Sequence, residues 1–266
     1  MNSSLISSRN APAKATAQKA TDLHAKASPD FAAKLAETEA LLQRAASDFQ
    51  PVTQASSLGA EDVVITHIIN RLRLDIPVFV LETGALHTET LALLERTQAH
   101  SRAPIQVFRP EHESVIWFIR NEGQDAMYKS IQLRKACCNI RKMEPLARAL
   151  AGKKAWITGL RQEQSAARAE VPLQDDSEVA AAPGSAGASP SAGLRKFNPL
   201  AKWTWGDVWH YIATQGVDYN PLHDQFFPSI GCAPCTRAIS LGEEFRAGRW
   251  WWEDEAAKEC GLHVKK

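Results

Sequence analysis

The sequence predicts an α/β protein with a mostly parallel sheet that is covered by helices on both faces. Short β-prone or apolar runs alternate with segments of helical periodicity between residues 51 and 158. This alternation is typical of parallel sheets, whose strands are buried on both faces. With 266 residues, of which 44% are hydrophobic and 23% charged, the chain suits one large α/β domain or two small ones.

The predicted elements follow one another from residue 51. The run 51–57 is short, β-prone and bounded by proline and glycine, which predicts a strand. The apolar spacing over 61–72 then predicts a helix. The further predicted elements are strands at 77–81, 105–108 and 155–158, and a helix at 89–96.

Polar or glycine-containing clusters follow three of these strands: S-S-L-G at 56–59, E-T-G at 82–84 and T-G-L-R at 158–161. In open parallel sheets ligands bind beyond the carboxyl ends of the strands, so we expect a nucleotide crevice there. The loop 56–62 is not a Walker A sequence. Its backbone N–H groups at a helix start could hold an anion, but an ordinary helix cap at Ser57 explains the same residues.

Two segments are predicted to be disordered, residues 1–28 and 175–193. The first is rich in Ala, Ser, Lys and Thr, and Arg9 is its only arginine, which favours a flexible N-terminus over an organellar transit peptide. The second is of low complexity and cannot bury a core. We therefore expect the folded domain over residues 29–240 and a flexible, catalytic C-terminal tail over 241–266.

Charge and hydropathy exclude two classes of partner. The formal net charge is +1, so the chain is not a polycation of the kind that binds nucleic acid or a membrane surface. No stretch approaches the roughly 20 apolar residues that span a bilayer. We expect neither nucleic acid nor membrane as a partner.

The five cysteines fall into two pairs and a single residue: Cys137 with Cys138, Cys232 with Cys235, and Cys260 alone near the C-terminus. Adjacent cysteines bridge each other only with strain, and an odd count without a signal segment does not suit a disulfide framework. Two distant pairs suit a four-thiolate centre of iron–sulfur or zinc, and the single cysteine suits a nucleophile. Buried free thiols and an incidental tail cysteine are the alternatives.

Four motifs occur in a fixed order: C-C-N-I-R-K-M-E-P-L at 137–146, I-G-C-A-P-C-T-R at 230–237, R-A-G-R-W-W-W-E at 246–253 and K-E-C-G-L-H at 258–263. They resemble those of assimilatory adenylyl-sulfate reductases, in the PAPS/APS reductase family, over about residues 50–263. The chain departs from the family pattern at Leu58, Glu82 and Ala85. The resemblance implies a PP-loop fold of the adenine nucleotide alpha hydrolase type and reduction of adenosine 5′-phosphosulfate to sulfite and AMP in sulfate assimilation.

The resemblance also implies the site residues. One [4Fe–4S] cluster per chain is expected, with the ligands Cys137, Cys138, Cys232 and Cys235. Cys260 is the expected nucleophile, which would form an S-sulfocysteine intermediate. The expected substrate-binding residues are Ser56, Ser57, Gly59, Asp62, Thr83, Gly84, Lys142, Arg161, Arg246, Arg249 and His263.

The expected reductant is an external protein of the thioredoxin or glutaredoxin type, because no second thiol remains in the chain once four cysteines bind metal. A labile cluster and a reactive thiol fit a reducing cytoplasm. A homo-oligomer is left open. Two other functions are kept as alternatives: a reductase of 3′-phosphoadenylyl sulfate, which the two cysteine pairs disfavour, and a zinc-stabilised nucleotide-binding regulatory protein.

Overall fold

A six-stranded sheet organises the computed structural model, which describes residues 18–176, 193–240 and 242–254. Its strands are β1 Val52–Ser56, β2 Val78–Leu81, β3 Ile105–Phe108, β4 Ala155–Ile157, β5 Gln174–Asp175 and β6 Arg195–Phe197. Its α-helices are α1 Ala20–His24, α2 Phe31–Asp48, α3 Ala60–Arg71, α4 Thr88–His100, α5 His112–Glu122, α6 Ile131–Cys138, α7 Glu144–Leu150 and α8 Trp205–Gln215. None of these helices, over the ranges described, is long and apolar enough to cross a bilayer.

The strands lie in the order β3-β2-β1-β4-β6-β5, and every neighbouring pair is parallel except β5 with β6. Alternate side chains of β2 show that both faces are covered. Val78 and Val80 pack into the core that also holds residues of α2, α3 and α8. Phe79 packs on the opposite face against Leu146 and Leu150 of α7. The predicted α/β class, with helices on both faces of a mostly parallel sheet, is confirmed.

An anchored N-terminal segment corrects the expectation that residues 1–28 are disordered. Helix α1 lies inside that range, and the Ala20 N–H donates to Asp224 Oδ1 at 2.7 Å. The Ser28 N–H donates to Asp207 Oδ1, also at 2.7 Å. Because these acceptors lie about 180 to 200 residues along the chain, composition could not reveal them. Residues 1–17 lie outside the described part of the chain.

The predicted insertion at 175–193 falls between two strands that the sequence analysis did not predict. Asp175 pairs with Lys196 across β5 and β6, so the first residue of that range belongs to the sheet. Residues 177–192 are outside the described ranges. The C-terminal segment is described as far as Asp254, and 255–266 lie beyond it.

Candidate active site and cysteine cavity

A cleft opens at the carboxyl ends of β1, β2 and β4. The chain runs from β1 through β2 to β3 on one side of the sheet and then returns to place β4 on the other side of β1. The crevice at such a reversal is the usual ligand site of an open parallel sheet. The loops after the three strands line this cleft, which is where the strand-end clusters of the sequence predict a crevice.

The loop after β1 is closed by one carboxylate. The backbone N–H and the hydroxyl of Ser57 both donate to Asp62 Oδ2 at 2.7 Å, and the Leu58 N–H donates to Ser56 Oγ at 3.2 Å. Leu58 adopts a left-handed backbone with φ of 61° and is 2% exposed. The side chain at this departure from the family pattern therefore packs in the core, whereas Ser56, Ser57, Gly59 and Asp62 line the cleft.

Asp62 titrates abnormally because it is buried. Burial raises the pKa of Asp62 to about 6, although the hydrogen bonds from Ser57 act to lower it. A Cβ on Gly159, at the end of β4, would overlap the Asp62 carboxylate and approach Glu61 Cβ to 2.9 Å. The absence of a side chain at residue 159 is thus what lets the start of α3 pack against β4.

Arg161, a predicted substrate-binding residue, lies behind the cleft wall and does not line the cleft. It is fully buried, and its Nε donates to Glu61 Oε1 at 2.9 Å. The rings of Trp205 and Phe245 lie 5.2 and 5.7 Å from its guanidinium. Since Glu61 lines the cleft and Arg161 does not, the guanidinium holds a cleft-lining carboxylate in place.

The cations that line the cleft include three predicted ones, Lys142, Arg246 and Arg249. Arg249 is 8% exposed, and its Nη1 makes only long hydrogen bonds, of 3.3 Å to Ser229 Oγ and 3.4 Å to Ile230 O. Its Nε is buried and has no hydrogen-bond partner within the described ranges. Because a buried, incompletely bonded cation is costly, this guanidinium favours an anionic ligand in the cleft.

The cleft-lining residues that were not predicted include Gly159, Arg168 and His223. The glycine in T-G-L-R at the end of a strand was a signal for the first. The other two have no sequence signal, because their approach to the cleft depends on tertiary packing. His223 is 5% exposed, and burial lowers its pKa to about 4, so its ring is neutral at pH 7.

The four cysteines predicted to bind the cluster line a second cavity, of about 490 Å³, beside the cleft. Cys137 and Cys138 end α6, where the chain continues into a π-helical turn, Asn139–Met143. Cys232 precedes a short 3₁₀ turn and Cys235 ends it; the loop after β2 holds this turn, because the Ala233 N–H donates to the Ala85 carbonyl at 2.7 Å. None of the four forms a disulfide within the described ranges. Gly84, predicted to bind substrate, lines this cavity and not the cleft.

The donor set fits an iron–sulfur cluster better than a single ion. Over the ranges described, no three His, Cys, Asp or Glu side chains are arranged to hold one metal ion. A tetrahedral zinc with bonds of about 2.3 Å would draw its sulfurs to within about 4 Å of each other. A four-iron cluster keeps its thiolates farther apart, and four cysteines around one roomy cavity match that requirement.

The two cavities share a wall. Lys142 lines both of them. Burial raises the pKa of Cys137 and of Cys235, and the positive charge of Lys142 acts to lower both. Thr83 lines the cleft, and its Oγ1 lies 3.3 Å from Cys232 Sγ. The predicted nucleophile Cys260 and the predicted contact His263 lie outside the described residues.

Comparison with known proteins places this architecture in a family. Residues 51–238 match the phosphoadenosine phosphosulfate reductase domain. An adenosine 5′-phosphosulfate reductase of Allochromatium vinosum is 48% identical over 85% of this chain and 84% of its own length. The corresponding protein of Burkholderia cepacia is 46% identical over 89% of this chain and 90% of its own.

Solved structures agree with this assignment. The crystal structure of a phosphoadenylyl-sulfate reductase from Candida auris, a phosphate complex, superposes with a TM-score of 0.60 and 25% identity. It covers 74% of this chain and 88% of that one. The FMN adenylyltransferase of Candida glabrata, at a TM-score of 0.51 and 10% identity over 90% of this chain and 82% of its own, shares the fold alone. With residues 51–238 matching the family's domain and relatives of 46–48% identity over most of its length, the chain belongs to the phosphoadenosine phosphosulfate reductase family.

Proposed function

We propose that this protein reduces adenosine 5′-phosphosulfate to sulfite and AMP, with electrons from a thioredoxin-type dithiol protein. The observation that carries the proposal is the shared wall: Lys142 lines both the cleft at the strand ends and the cavity of four cysteines. Reduction of an activated sulfate to sulfite is the reaction that the family supports. The unphosphorylated substrate is supported by relatives of that name at 46–48% identity.

In this proposal the cleft binds the nucleotide by its strand-end loops. The backbone N–H groups in the first turn of α3, which begins at Ala60, meet the phosphate, because the helix dipole favours negative charge there. Lys142, Arg246 and Arg249 supply the positive charge for the phosphosulfate. Glu61, fixed by Arg161, and Asp62, fixed by Ser57, hold the loop rigid.

Cys137, Cys138, Cys232 and Cys235 would hold a [4Fe–4S] cluster in the second cavity. When bound, such a cluster would join α6 to the loop at Cys232 and add a fixed charge distribution beside the substrate sulfate. Arg141 already fastens this region to the cleft wall, since its Nη1 donates to the Thr83 carbonyl at 2.7 Å. Lys142 lines both cavities, so its charge acts on the cysteines and on a ligand in the cleft.

The chemistry assigned to Cys260 is a displacement at sulfur. Its thiolate attacks the sulfate sulfur, an S–S bond forms, the bond from sulfur to the bridging phosphate oxygen breaks, and AMP leaves. A thiolate of the external dithiol then attacks Cys260 Sγ and releases sulfite, which leaves a mixed disulfide. The second thiol of the partner resolves it, so the partner is oxidised by two electrons and Cys260 returns to a thiolate. A reducing cytoplasm suits these thiols.

A single-turnover experiment tests the proposal. Anaerobically purified protein with adenosine 5′-phosphosulfate and no reductant should release one AMP per chain and gain one sulfonate at Cys260 by mass spectrometry. Sulfite should follow only after thioredoxin is added. Cys260→Ser should bind the nucleotide and keep its iron but release no sulfite. Stoichiometric sulfite without any external thiol, or from the serine variant, would contradict the assignment.

The same preparation separates the two alternatives. Turnover of 3′-phosphoadenylyl sulfate at a higher kcat/KM than the unphosphorylated form would favour the phosphorylated substrate. Zinc in place of iron, with no brown colour and no turnover of either nucleotide, would favour the regulatory protein.

A further inference from the structure

A stack of side chains connects the cleft to the helix that carries Cys137 and Cys138. Arg249, in the cleft, lies with its guanidinium 4.7 Å from the ring centre of Trp250. Arg134, on α6, lies 4.6 Å from the same ring. The Arg134 Nε and Nη2 donate to the two carboxylate oxygens of Glu253 at 2.8 Å each. The side chains of Arg134 and Glu253 are 1% and 3% exposed, so this pair is buried.

We propose that Arg134 is a positioning residue for the reaction, which presents Arg249 to the substrate anion through Trp250. The inference rests on the proposed function and assigns a role to residues that do not line the cleft. Arg134 and Glu253 are absent from the cleft wall, whereas Trp250 and Arg249 are both part of it.

The contacts of Arg249 explain why it needs such support. Its hydrogen bonds to Ser229 and Ile230 are long, at 3.3 and 3.4 Å, and its Nε has none within the described ranges. The flat face of Trp250 and the bare backbone of Gly231 therefore determine where the guanidinium lies. Trp250 is 1% exposed. Its backbone N–H donates to the Cys235 carbonyl at 3.2 Å, and its ring lies over the Arg134 guanidinium.

Glu253 makes the arrangement electrostatically tolerable. Two guanidinium groups share one indole, and without a counter-ion they would repel each other across a poorly hydrated space. The bidentate ion pair with Glu253 neutralises Arg134 and fixes the plane of its guanidinium. Arg249 consequently keeps its charge for the ligand. The same pair ties the C-terminal segment, which leads to Cys260, to α6.

The test is a mutant cycle measured as binding. In a Cys260→Ser background, calorimetry gives the Kd of adenosine 5′-phosphosulfate for Arg249→Met, for Arg134→Met/Glu253→Gln, and for all three changes together. Removing both members of the ion pair leaves no buried charge without a partner, so the fold is kept. We expect each of the first two proteins to bind about ten- to a hundredfold more weakly, as for loss of one charged hydrogen bond.

The decisive result is whether the losses of affinity in Arg249→Met and in Arg134→Met/Glu253→Gln add up in the triple variant. If Arg134 acts through Arg249, the triple change should bind within about twofold of Arg249→Met alone. A purely structural role would instead multiply the two losses, and either that outcome or unchanged affinity in Arg134→Met/Glu253→Gln would overturn the inference. Arg134→Lys, which keeps the charge but loses the planar stack, should also weaken binding. If Arg134→Met/Glu253→Gln does not fold, Arg134→Lys takes its place in the binding measurements.

The pair of Arg237 with Glu243 supplies the matched control. It is also bidentate, at 2.7 and 2.8 Å, and lies in the same segment. Arg237→Met/Glu243→Gln should bind as the parent does, and an equal, non-additive loss there would count against the inference. If the parent Cys260→Ser protein does not bind the nucleotide at all, the proposed function fails. If it binds and only the cycle is additive, this inference fails alone.

Discussion

Replacing Gly159 by alanine would add a methyl group where β4 meets the start of α3. The backbone at residue 159 is not in the left-handed region, so the perturbation is one of space only. The new Cβ would overlap the Asp62 carboxylate and lie 2.9 Å from Glu61 Cβ, with Asp62 Cγ at 3.3 Å. A carboxylate can rotate away, but Glu61 Cβ is fixed to the first turn of α3.

The magnitude follows from that contact. Separation of the Cβ from Glu61 must increase from 2.9 Å to at least 3.4 Å for ordinary contact, so the start of α3 must shift by about half an ångström. Overpacking of this kind costs about 1–3 kcal/mol, and alanine offsets about 0.4–1 kcal/mol of it by restricting the unfolded chain. We expect a loss of about 1–2 kcal/mol in the free energy of unfolding. Displacing Asp62 also releases Ser57, which should weaken nucleotide binding about tenfold.

The assays are urea unfolding and calorimetric binding of adenosine 5′-phosphosulfate in the Cys260→Ser background. Gly59→Ala is the control, because its φ of −73° suits alanine and its Cβ would meet only Ser57 Oγ at 3.4 Å. The free energy of unfolding of Gly59→Ala should stay within about 1 kcal/mol of that of the parent protein. A Gly159→Ala protein as stable as the parent, with undiminished affinity, would refute the role given to this close approach.

Two other predictions concern Asp207 and Gly231. Burial acts to raise the pKa of Asp207, but hydrogen bonds from Ser28, Thr204 and Lys34 lower it to about 2. A carboxyl group whose pKa is lower in the folded chain than in the unfolded chain stabilises the fold fully above the unfolded pKa, here 3.8. About 2 kcal/mol of the free energy of unfolding should therefore be lost as the pH falls from 4 to 2. Urea unfolding should show a smaller loss over that range in Asp207→Asn, and an identical pH profile would contradict this. Gly231→Ala would bring a methyl to 2.5 Å from Arg249 Nη2, which should raise the Kd about tenfold at unchanged iron content, whereas unchanged affinity would show that Arg249 does not contact the ligand.

Local sequence patterns predicted four of the five strands that have a parallel neighbour in the sheet. The strands predicted at 51–57, 77–81, 105–108 and 155–158 each contain an observed strand, because a buried strand carries its apolar run in its own residues. The strands β5 and β6 were missed. Each is two or three residues long: β6 forms by pairing with β4, and β5 forms by pairing with β6, which local composition does not record.

The cysteine pattern also predicted which distant parts of the chain lie together. Cys137 and Cys232 lie 95 residues apart in the sequence, and Cys138 and Cys235 lie 97 residues apart. Two such distant pairs indicated a shared centre, and the four thiols line one cavity. The motif resemblance placed Lys142 and Arg249 near the substrate, and both line the cleft. These positions were readable because motifs preserve residues that act on a ligand, and cation type limits the ligands that suit it.

The residues alone were therefore sufficient to predict the fold class, four of the five strands that have a parallel neighbour, the four cysteines around one cavity and the family. That Arg161 supports Glu61 from behind the cleft, and that Arg134 pairs with Glu253, became visible in the folded chain alone. Those partners lie 100 and 119 residues apart in the chain. A buried ion pair depends on which two side chains the fold brings within 3 Å and removes from water. Neither distance nor burial is encoded in the residues adjacent to an arginine, so only the folded chain distinguishes a guanidinium that binds a ligand from one that holds the wall in place.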